Sequence, residues 1–550
     1  AQAILAQGHF GLEERRRRAS PPPAPALAAA VASAMSAQKR SATPPAKRPA
    51  AVAVQEQEVK GNVWPGPVPL DPEKVVRKQT RPIGEFGGNI GGVFWSVFVP
   101  ICIWYFYGCA ILEEGSLHMP PWDVAWWHKL YYELPEGIAI RPTWKGALAY
   151  IVWVSFQAVM EMVLPGKVVD GVRLKNGNRL KYPMNGMAAY FLSHVSVVAA
   201  CYAGILDPTF VWKQMGALLT GAVLSTFVVC VWMYIDFGLL WKRHVNDPEF
   251  EEDWGVFTLK EMATDFWMGV ARNPRCLHSL LPSTGGFDIK RFSNARAGLT
   301  IWIICNWSYM AAIYFGCHLE AGGEPVCEAT GDWGRIGYSA IFISLAHWYY
   351  IFDYNWNEPA YLTTTDLRHD LYGYMLSYGC CGFLAWFYPI AFMGYIAGQK
   401  TPLTGNHLNF GLGVTLYIIG MFLFRVTNIE KHNFRSFIAD GGDLTQYKVW
   451  GKQVEYIRTE EGSYLLCSGY WALARHFNYI GDMVMCVGWT VACGGPKHGF
   501  PFVPLSYVAY FWIMDLHRLW RDEERCEAKY KKDWYAYKEK VPYFILPGIF

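Results

Sequence analysis

The sequence predicts an all-α fold, a polytopic transmembrane bundle of about ten helices. Of its 550 residues, 52% are hydrophobic and only 17% are charged, and it contains 25 Trp, 33 Tyr and 32 Phe. Soluble proteins of this length carry more charge and fewer aromatic residues. The apolar runs also reach the roughly 20 residues that a helix needs to cross a bilayer. Because the hydrocarbon core offers no water to the backbone, we expect these runs to form a helical bundle.

Eight apolar runs and one terminal hairpin make up the predicted bundle. The run GGNIGG at residues 87–92 stands before the first span, and it predicts a membrane-entry turn rather than a phosphate cradle. The predicted spans lie near residues 89–112, 146–164, 186–205, 215–240, 297–316, 336–353, 372–398 and 407–426, followed by a hairpin near 482–515.

Residues 1–83 differ in composition from the rest of the chain. They are rich in Ala, Pro, Ser and basic residues and offer nothing to form a core, so we predict disorder. An organelle transit peptide is the alternative, because acidic residues are scarce there. Met35 would make a natural start, so we expect part of 1–34 to be a gene-model artefact. The membrane domain is predicted to occupy residues 84–550.

The charges of the loops predict the orientation in the membrane. Loop 165–183, segment 241–296 and the C-terminal tail are rich in Lys and Arg, whereas loop 317–335 is acidic. Basic loops prefer the cytosol, which predicts cytosolic termini and a lumenal acidic loop. Cys317 and Cys327 both fall in the acidic loop, and in an oxidising lumen we expect them to form a disulfide.

Two classes of ligand are not expected from composition. The net charge of +3 is too small to indicate a nucleic-acid partner. The 14 cysteines are scattered and lack the CxxC pairs of a structural zinc site, so we predict no metal.

A dense polar cluster interrupts the apolar pattern near the C-terminus. The segment LLCSGYWALARHFNYIGD, residues 465–482, places Arg475, His476, Asn478, Tyr479 and Asp482 within eight positions beside a predicted span. Polar groups are costly near hydrocarbon, so such a cluster favours a cavity lining or a charged ligand. An interfacial loop with snorkelling side chains is the alternative.

This segment and the tail RDEERCEAKYKKDWYAYKEKVPYFILPGIF, residues 521–550, resemble the C-terminal signature of the integral-membrane sterol reductases. That family includes Δ14-, Δ7- and Δ24(28)-sterol reductases and the reductase-like half of the lamin B receptor. The resemblance extends through NIEKHNFR (428–435), WNEPAYLTTTDLRHDLYGY (356–374), FDIKRFSNARAG (287–298) and the segment 164–191. It implies reduction of a sterol double bond with NADPH in the endoplasmic reticulum membrane, with the sterol and membrane lipid as partners.

The cofactor must be held without a strand–GxGxxG–helix unit, because the sequence has none. Lys431 and Arg435 stand four residues apart, on one face of a helix end, and both suit phosphate binding. A positive-inside anchor is the alternative for this pair. The resemblance favours the cofactor interpretation and implies an NADPH-binding region over 427–550. Its implied contacts, besides Lys431 and Arg435, are Leu466, Trp471, Asn478, Tyr479, Asp522, Cys526, Glu527, Ala528, Lys529, Tyr530 and Tyr537.

The reaction also needs a proton donor, which we expect to be an acid or a phenol in a mostly apolar cavity. Glu358, Asp366 and His369 cluster between two predicted spans, close to one face if the helix continues. A helix-capping turn is the alternative. In the family this block borders the sterol cavity, so these three residues are the catalytic candidates.

The position of the double bond is less clearly indicated. The segments EFGGNIGG (85–92) and LTTTDL (362–367) resemble Δ14-reductases, whereas Phe477, KVWG (448–451) and the terminal PGIF resemble Δ7-reductases. The stretch after Gly379 departs from the family by lacking Asp-x-x-W-x-P. We predict reduction at C7–C8, with Δ14 as the alternative. A Δ24(28)-reductase, a membrane methyltransferase and a non-catalytic protein similar to the lamin B receptor remain open.

Overall fold

The structure, a computed structural model, describes residues 85–174, 176–251, 261–320, 323–399, 407–494 and 500–549. The predicted disordered region lies outside these residues. The helices named below are α1 (Gly88–Leu112), α2 (Trp144–Val163), α3 (Gly186–Tyr202), α4 (Met215–Leu239), α5 (Ile289–Tyr314), α6 (Tyr338–Trp356), α7 (Tyr374–Ala397), α8 (His407–Ala439), α9 (Asn478–Cys493), α10 (Phe502–Tyr530) and α11 (Lys532–Lys540).

Short elements connect the long helices. Short helices or helical turns occupy Glu85–Gly87, Val124–His128, Lys129–Glu133, Phe210–Lys213, Trp241–His244, Met262–Met268, Trp333–Arg335, Glu358–Tyr361, Thr365–Arg368 and Tyr470–Leu473. The strands pair as antiparallel hairpins: β1 (Lys167–Arg173) with β2 (Arg179–Met184), β3 (Arg275–Cys276) with β4 (Phe287–Asp288), β5 (His318–Leu319) with β6 (Pro325–Val326), β7 (Lys448–Val449) with β8 (Lys452–Gln453), and β9 (Tyr456–Arg458) with β10 (Tyr464–Leu466).

The predicted helical membrane bundle is confirmed. Within the described ranges, six helices are long and apolar enough to cross a membrane, namely α1, α2, α4, α5, α7 and α8. Helix α3 is apolar but shorter, and α6, α9 and α10 correspond to the remaining predicted spans. Three boundaries differ most from the prediction, since α5 begins at Ile289, α8 continues to Ala439 and α10 continues to Tyr530. These extensions are polar helical segments that the hydropathy pattern does not register.

The chain enters α1 through the tight turn that the glycine run predicts. Phe86, Gly87 and Gly88 all have positive φ, at 56°, 86° and 62°. Glycine adopts this conformation without strain, which explains two of the three positions. The side-chain oxygen of Asn89 then accepts hydrogen bonds from the backbone of Ala263 and Thr264, at 2.9 and 3.0 Å. The turn is therefore pinned to a neighbouring segment.

The predicted disulfide is also present. It joins Cys317 to Cys327 across the β5–β6 hairpin, between α5 and α6. The bond closes a short acidic loop whose ends would otherwise be free to separate.

Helices α8 and α9 pack along a seam of glycines. A Cβ atom added at Gly420 would stand 2.6 Å from the carbonyl oxygen of Gly481, and one at Gly488 would stand 2.7 Å from that of Gly413. Small residues let helix backbones approach closely in a membrane, where dispersion and backbone contacts replace the hydrophobic effect. The seam fixes the polar end of α8 against the start of α9, where four of the predicted cofactor contacts lie.

Candidate active site

The polar end of α8 presents two cations one helical turn apart. The ammonium group of Lys431 lies 3.7 Å from the centre of the Trp471 ring, and the indole of Trp471 donates to the carbonyl of Thr427 at 2.9 Å. The side chain of Arg435 is exposed. Neither cation forms an ion pair with any residue that the structure describes. Cations held this way are suited to an anionic ligand.

Helix α10 supplies the facing wall. Asp522, Cys526 and Tyr530 follow one another at four-residue spacing, so they share one face of the helix. All three lie within electrostatic reach of Arg435, and Asp522 and Cys526 also of Lys431. We call the space bounded by these five residues the cationic cleft.

A third cation joins the cleft, and sequence reasoning did not identify it. Arg368 is exposed and lies within electrostatic reach of Arg435. It stands in the polar loop between α6 and α7, and no described residue forms an ion pair with it. Three cations therefore face one carboxylate, Asp522. Arg368 lies inside the block 356–374, which was searched for a proton donor, so only the acids and His369 of that block were considered.

The remaining predicted cofactor residues divide into three groups. Leu466 and Trp471 are buried together behind Lys431 with Phe434. Asn478 and Tyr479 are buried at the start of α9, and the side-chain oxygen of Asn478 accepts no hydrogen bond from a described residue.

The third group lies along α10 and α11, and only part of it faces the cleft. Tyr537 is buried beside Trp534. Glu527 turns outward, where it pairs with Lys538 at 2.8 Å. Ala528 and Lys529 are exposed, and Lys529 donates to the Tyr530 hydroxyl at 3.1 Å.

Two members of the polar cluster in 465–482 hold the C-terminal tail instead of lining a cavity. The Arg475 guanidinium donates to the carbonyls of Val541 and Pro542 at 2.9 and 2.8 Å, and the backbone N–H of His476 donates to Phe544 at 3.0 Å. Burial opposes ionisation of Glu523, but His476, Arg475 and Lys538 outweigh it and lower its pKa to about 2. These groups fix the tail against α10.

The catalytic candidate Glu358 lies in a buried ion-pair network. Its carboxylate pairs with Arg291 and Arg296 and accepts a hydrogen bond from the Gly186 N–H at 2.9 Å. Glu161 bonds the same two guanidinium groups. Burial favours the neutral acid, but Arg296, Arg291 and the Gly186 N–H hold the pKa of Glu358 below its ordinary value. We call these four charged residues the arginine network.

A wide helical turn explains how the two arginines meet. Arg291 and Arg296 are five residues apart, which would put them on different sides of an ideal α-helix. Residues Ser293–Gly298 instead form a π-helical turn, in which positions five apart align. Both guanidinium groups therefore point to the same pair of carboxylates. Short π turns of this kind are frequent at functional sites.

Asp366 belongs to a different set of contacts, because the helix does not continue from Glu358. The block folds instead as two short helices, Glu358–Tyr361 and Thr365–Arg368, with Thr364 capping the second. Asp366 accepts from Arg518 of α10 at 2.9 Å. The two candidate carboxylates are thus held by different arginines on different helices.

The rest of the loop is held to α10 by its neighbour Asp370. Asp370 accepts from Arg521 and Arg525 at 2.8 and 3.2 Å, and these arginines keep its pKa low against the effect of burial. The ring of His369 is exposed on one side, but desolvation by the loop, together with Arg525 and the neighbouring Arg368, lowers its pKa to about 4. His369 is therefore neutral at pH 7.

Fold and site together define a multi-pass membrane protein with a cationic cleft on one side of its bundle. Residues 80–550 match the Ergosterol biosynthesis ERG4/ERG24 family, and the chain belongs to this family. It is 33% identical to the Delta(14)-sterol reductase of Dictyostelium discoideum, over 86% of this chain and 93% of that protein.

Two further relatives differ in the reaction that their names give. The Delta(14)-sterol reductase of Methylotuvimicrobium alcaliphilum is 31% identical over 85% of this chain and 96% of its own length. The 7-dehydrocholesterol reductase of Xenopus laevis is 29% identical over 87% of this chain and 97% of its own. The chain is accordingly a sterol reductase, an oxidoreductase of sterol biosynthesis.

Proposed function

We propose that this sterol reductase uses NADPH to reduce the C7–C8 double bond of a sterol in the endoplasmic reticulum membrane, with both termini in the cytosol. The observation that carries the cofactor assignment is the cationic cleft. Lys431, Arg435 and Arg368 crowd together with Asp522 as the nearby carboxylate. Like charges repel at this range, so the arrangement is favourable only with an anion between them.

The residues in and beside the cleft fit a dinucleotide phosphate in charge and in hydrogen-bonding groups. Arg435 would bind phosphate oxygens through its planar fork, Lys431 would add a point charge, and Arg368 would attract the phosphates at longer range. Tyr530 offers a ring for stacking, and the unpartnered oxygen of Asn478 accepts a hydrogen bond from an amide or a hydroxyl. When bound, the cofactor would supply the hydride.

The C7–C8 position rests on local motifs. Phe477 stands immediately before Asn478 and packs against Tyr470, with ring centres 5.7 Å apart, so this Δ7-like residue adjoins the proposed cofactor contacts. Whole-chain similarity supports the alternative, because two of the relatives above are Delta(14)-sterol reductases with 33% and 31% identity. Identity averaged over a bundle mostly reports packing residues, so we give the local motif more weight.

We further propose that Glu358, Asp366 and His369 act by holding the site. A carboxylate that two guanidinium groups keep ionised has no proton to donate, and this applies to Glu358. Asp366 is bound by Arg518, and the loop that carries both Asp366 and His369 is fixed to α10. An Asp366→Asn variant should lose turnover while it still binds NADPH. If that variant turns over at the rate of the parent protein, Asp366 serves only as a helix-capping residue.

The reaction is tested by presenting purified protein with NADPH and either a Δ5,7-sterol or a Δ8,14-sterol. We expect NADPH-dependent loss of the conjugated diene from the Δ5,7-sterol. Preferential loss from the Δ8,14-sterol would establish the alternative, and no loss from either would contradict both. The sterols that accumulate in a null mutant give an independent answer, since the untouched substrate builds up.

A further inference from the structure

Two carboxyl groups in the interior of the bundle have no hydrogen-bond or ion-pair partner among the residues that the structure describes. Asp482 of α9 and Asp515 of α10 are both fully buried. None of their four carboxylate oxygens accepts a hydrogen bond from a residue that the structure describes. Burying a carboxylate without a partner is costly, and ionisable residues retained inside a membrane usually serve a function.

The packing of the two helices places these carboxyl groups near each other. The hydroxyl of Thr490 donates to the carbonyl of Pro504 at 3.2 Å. About two turns along, the indole of Trp512 donates to the carbonyl of Met483 at 3.4 Å. Asp482 adjoins Met483 on α9, and Asp515 stands about one turn beyond Trp512 on α10, so the two carboxyl groups lie near the same level of the helix pair. The two groups also lie within electrostatic reach of each other.

The nearest cations are already paired with other carboxylates. Arg518 donates to Asp366 at 2.9 Å, and Arg425 pairs with Asp353. Neither guanidinium forms a hydrogen bond or an ion pair with Asp482 or Asp515. Two adjacent carboxyl groups in a low-dielectric site cannot both ionise, because each raises the cost of charging the other. The pair therefore retains at least one proton.

A third unpartnered group points to the same place. The hydroxyl of Tyr350, from α6, is buried and makes no hydrogen bond to a described residue, and it lies within electrostatic reach of Asp482. Asp482 stands one turn beyond Asn478 and Tyr479, both proposed cofactor contacts. On α10, Asp515 stands two turns before Asp522 of the cationic cleft.

We propose that Asp482 and Asp515 share a proton and form the proton store of the reduction. This inference rests on the proposed function. Reducing a carbon–carbon double bond forms two C–H bonds, one from a hydride that carries both electrons and one from a proton. The group that gives its proton to carbon is left deprotonated, and the pair returns a proton to it. Water then restores the proton of the pair, so the overall reaction consumes one proton and no further oxidant or reductant.

The test uses Asp482→Asn and Asp515→Asn in the full chain. The infrared spectrum of the parent protein at neutral pH should contain the carbonyl band of a buried protonated carboxyl, which each variant should shift or weaken and the double variant should lack. We expect kcat to fall by about 10²–10⁴-fold, as for loss of a proton-transfer group, with the KM for NADPH unchanged. Thermal stability should not fall, because the amide removes an uncompensated buried charge.

Asp443→Asn is the matched control. Asp443 lies in an exposed turn, where its oxygen accepts from Thr445 at 2.7 and 3.0 Å, so the same chemical change should leave the band and kcat as in the parent. Absence of the band from the parent, or parent turnover in both variants, overturns the inference. If one variant does not fold, the change of the band in the other variant still decides. Absence of NADPH-dependent reduction in the parent would instead refute the proposed function. The two failures are distinguishable because the infrared measurement needs no turnover.

Discussion

The arginine network and the cationic cleft are both clusters of guanidinium groups, but they differ in charge balance. In the network, Arg291 and Arg296 meet the carboxylates of Glu161 and Glu358, and every one of these four groups is buried. Two positive and two negative charges cancel there. The network is therefore neutral overall and needs no charged ligand.

In the cleft, cations outnumber the carboxylates that face them. Arg435 and Arg368 are exposed, and within the described part of the chain neither forms an ion pair. Like charges lie close together there with few opposing carboxylates, which indicates that an anionic ligand completes the site. A buried cluster with balanced charges thus contributes to folding, whereas an accessible cluster with excess positive charge contributes to binding. Substitutions in the two regions should therefore affect different measurements.

The largest effect is expected from Glu358→Gln, which breaks the balance of the network. Removing one charge leaves two buried arginines facing a single carboxylate, and breaking a buried ion pair typically costs about 3–5 kcal/mol. We expect a marked fall in the unfolding temperature in detergent, with any loss of activity following the loss of folded protein. Glu324→Gln, on an exposed loop, is the control. A fully stable but inactive Glu358→Gln would show that Glu358 acts in chemistry.

Arg435→Ala should give the opposite pattern. Loss of a charge-assisted phosphate contact costs about 1.5–3 kcal/mol, so the KM for NADPH should rise roughly 10- to 150-fold. Stability should be unchanged or higher, because the variant relieves repulsion with Lys431 and Arg368. Sterol affinity should hardly change. The exposed Arg458 supplies a matched control in Arg458→Ala. Normal NADPH kinetics in Arg435→Ala would remove this residue from the site.

A third prediction concerns the seam that positions the cleft. In Gly420→Ala the new methyl group meets the Gly481 carbonyl at 2.6 Å, so α8 and α9 must separate. Overpacking of this kind costs about 1–3 kcal/mol, and the KM for NADPH should rise because Lys431 and Asn478 move apart. Gly411→Ala is the matched control on the same helix, since nothing lies within 4 Å of its added methyl. Equal stability of the two variants would contradict the role of the seam.

Sequence reasoning succeeded where the signal is local. Apolar runs of about 20 residues predicted the helices, and the acidic loop predicted the disulfide between Cys317 and Cys327. It also assigned Lys431 and Arg435 to one helix face, which the structure shows. Each of these inferences depends on neighbours in the chain, which a sequence displays directly.

The sequence was less informative about contacts that join segments far apart in the chain. The partners of Glu358 lie 62 to 172 residues away along the chain, and a π turn that hydropathy cannot show brings two of them together. Arg475 and His476 belong to the polar cluster that suggested a ligand, but carbonyl groups of the C-terminal tail accept their hydrogen bonds. Asp482 was noticed as a polar residue, but its pairing with Asp515 requires the register of α9 and α10.

The smallest effect is expected from Arg368→Ala, and it tests whether the cleft extends as far as the loop between α6 and α7. Arg368 is exposed, so solvent and salt screen its field, and such a charge contributes on the order of 0.2–1 kcal/mol. The KM for NADPH should therefore rise only a few-fold, and the difference from the parent should shrink as salt is added, because screening shortens the range of the interaction. Lys448→Ala, another exposed cation outside the cleft, should change neither value. Measuring the KM of both variants at low and high ionic strength separates a long-range contribution from a direct contact. A salt-independent rise as large as that of Arg435→Ala would make Arg368 a direct phosphate ligand, and no rise at any salt concentration would confine the cleft to α8 and α10.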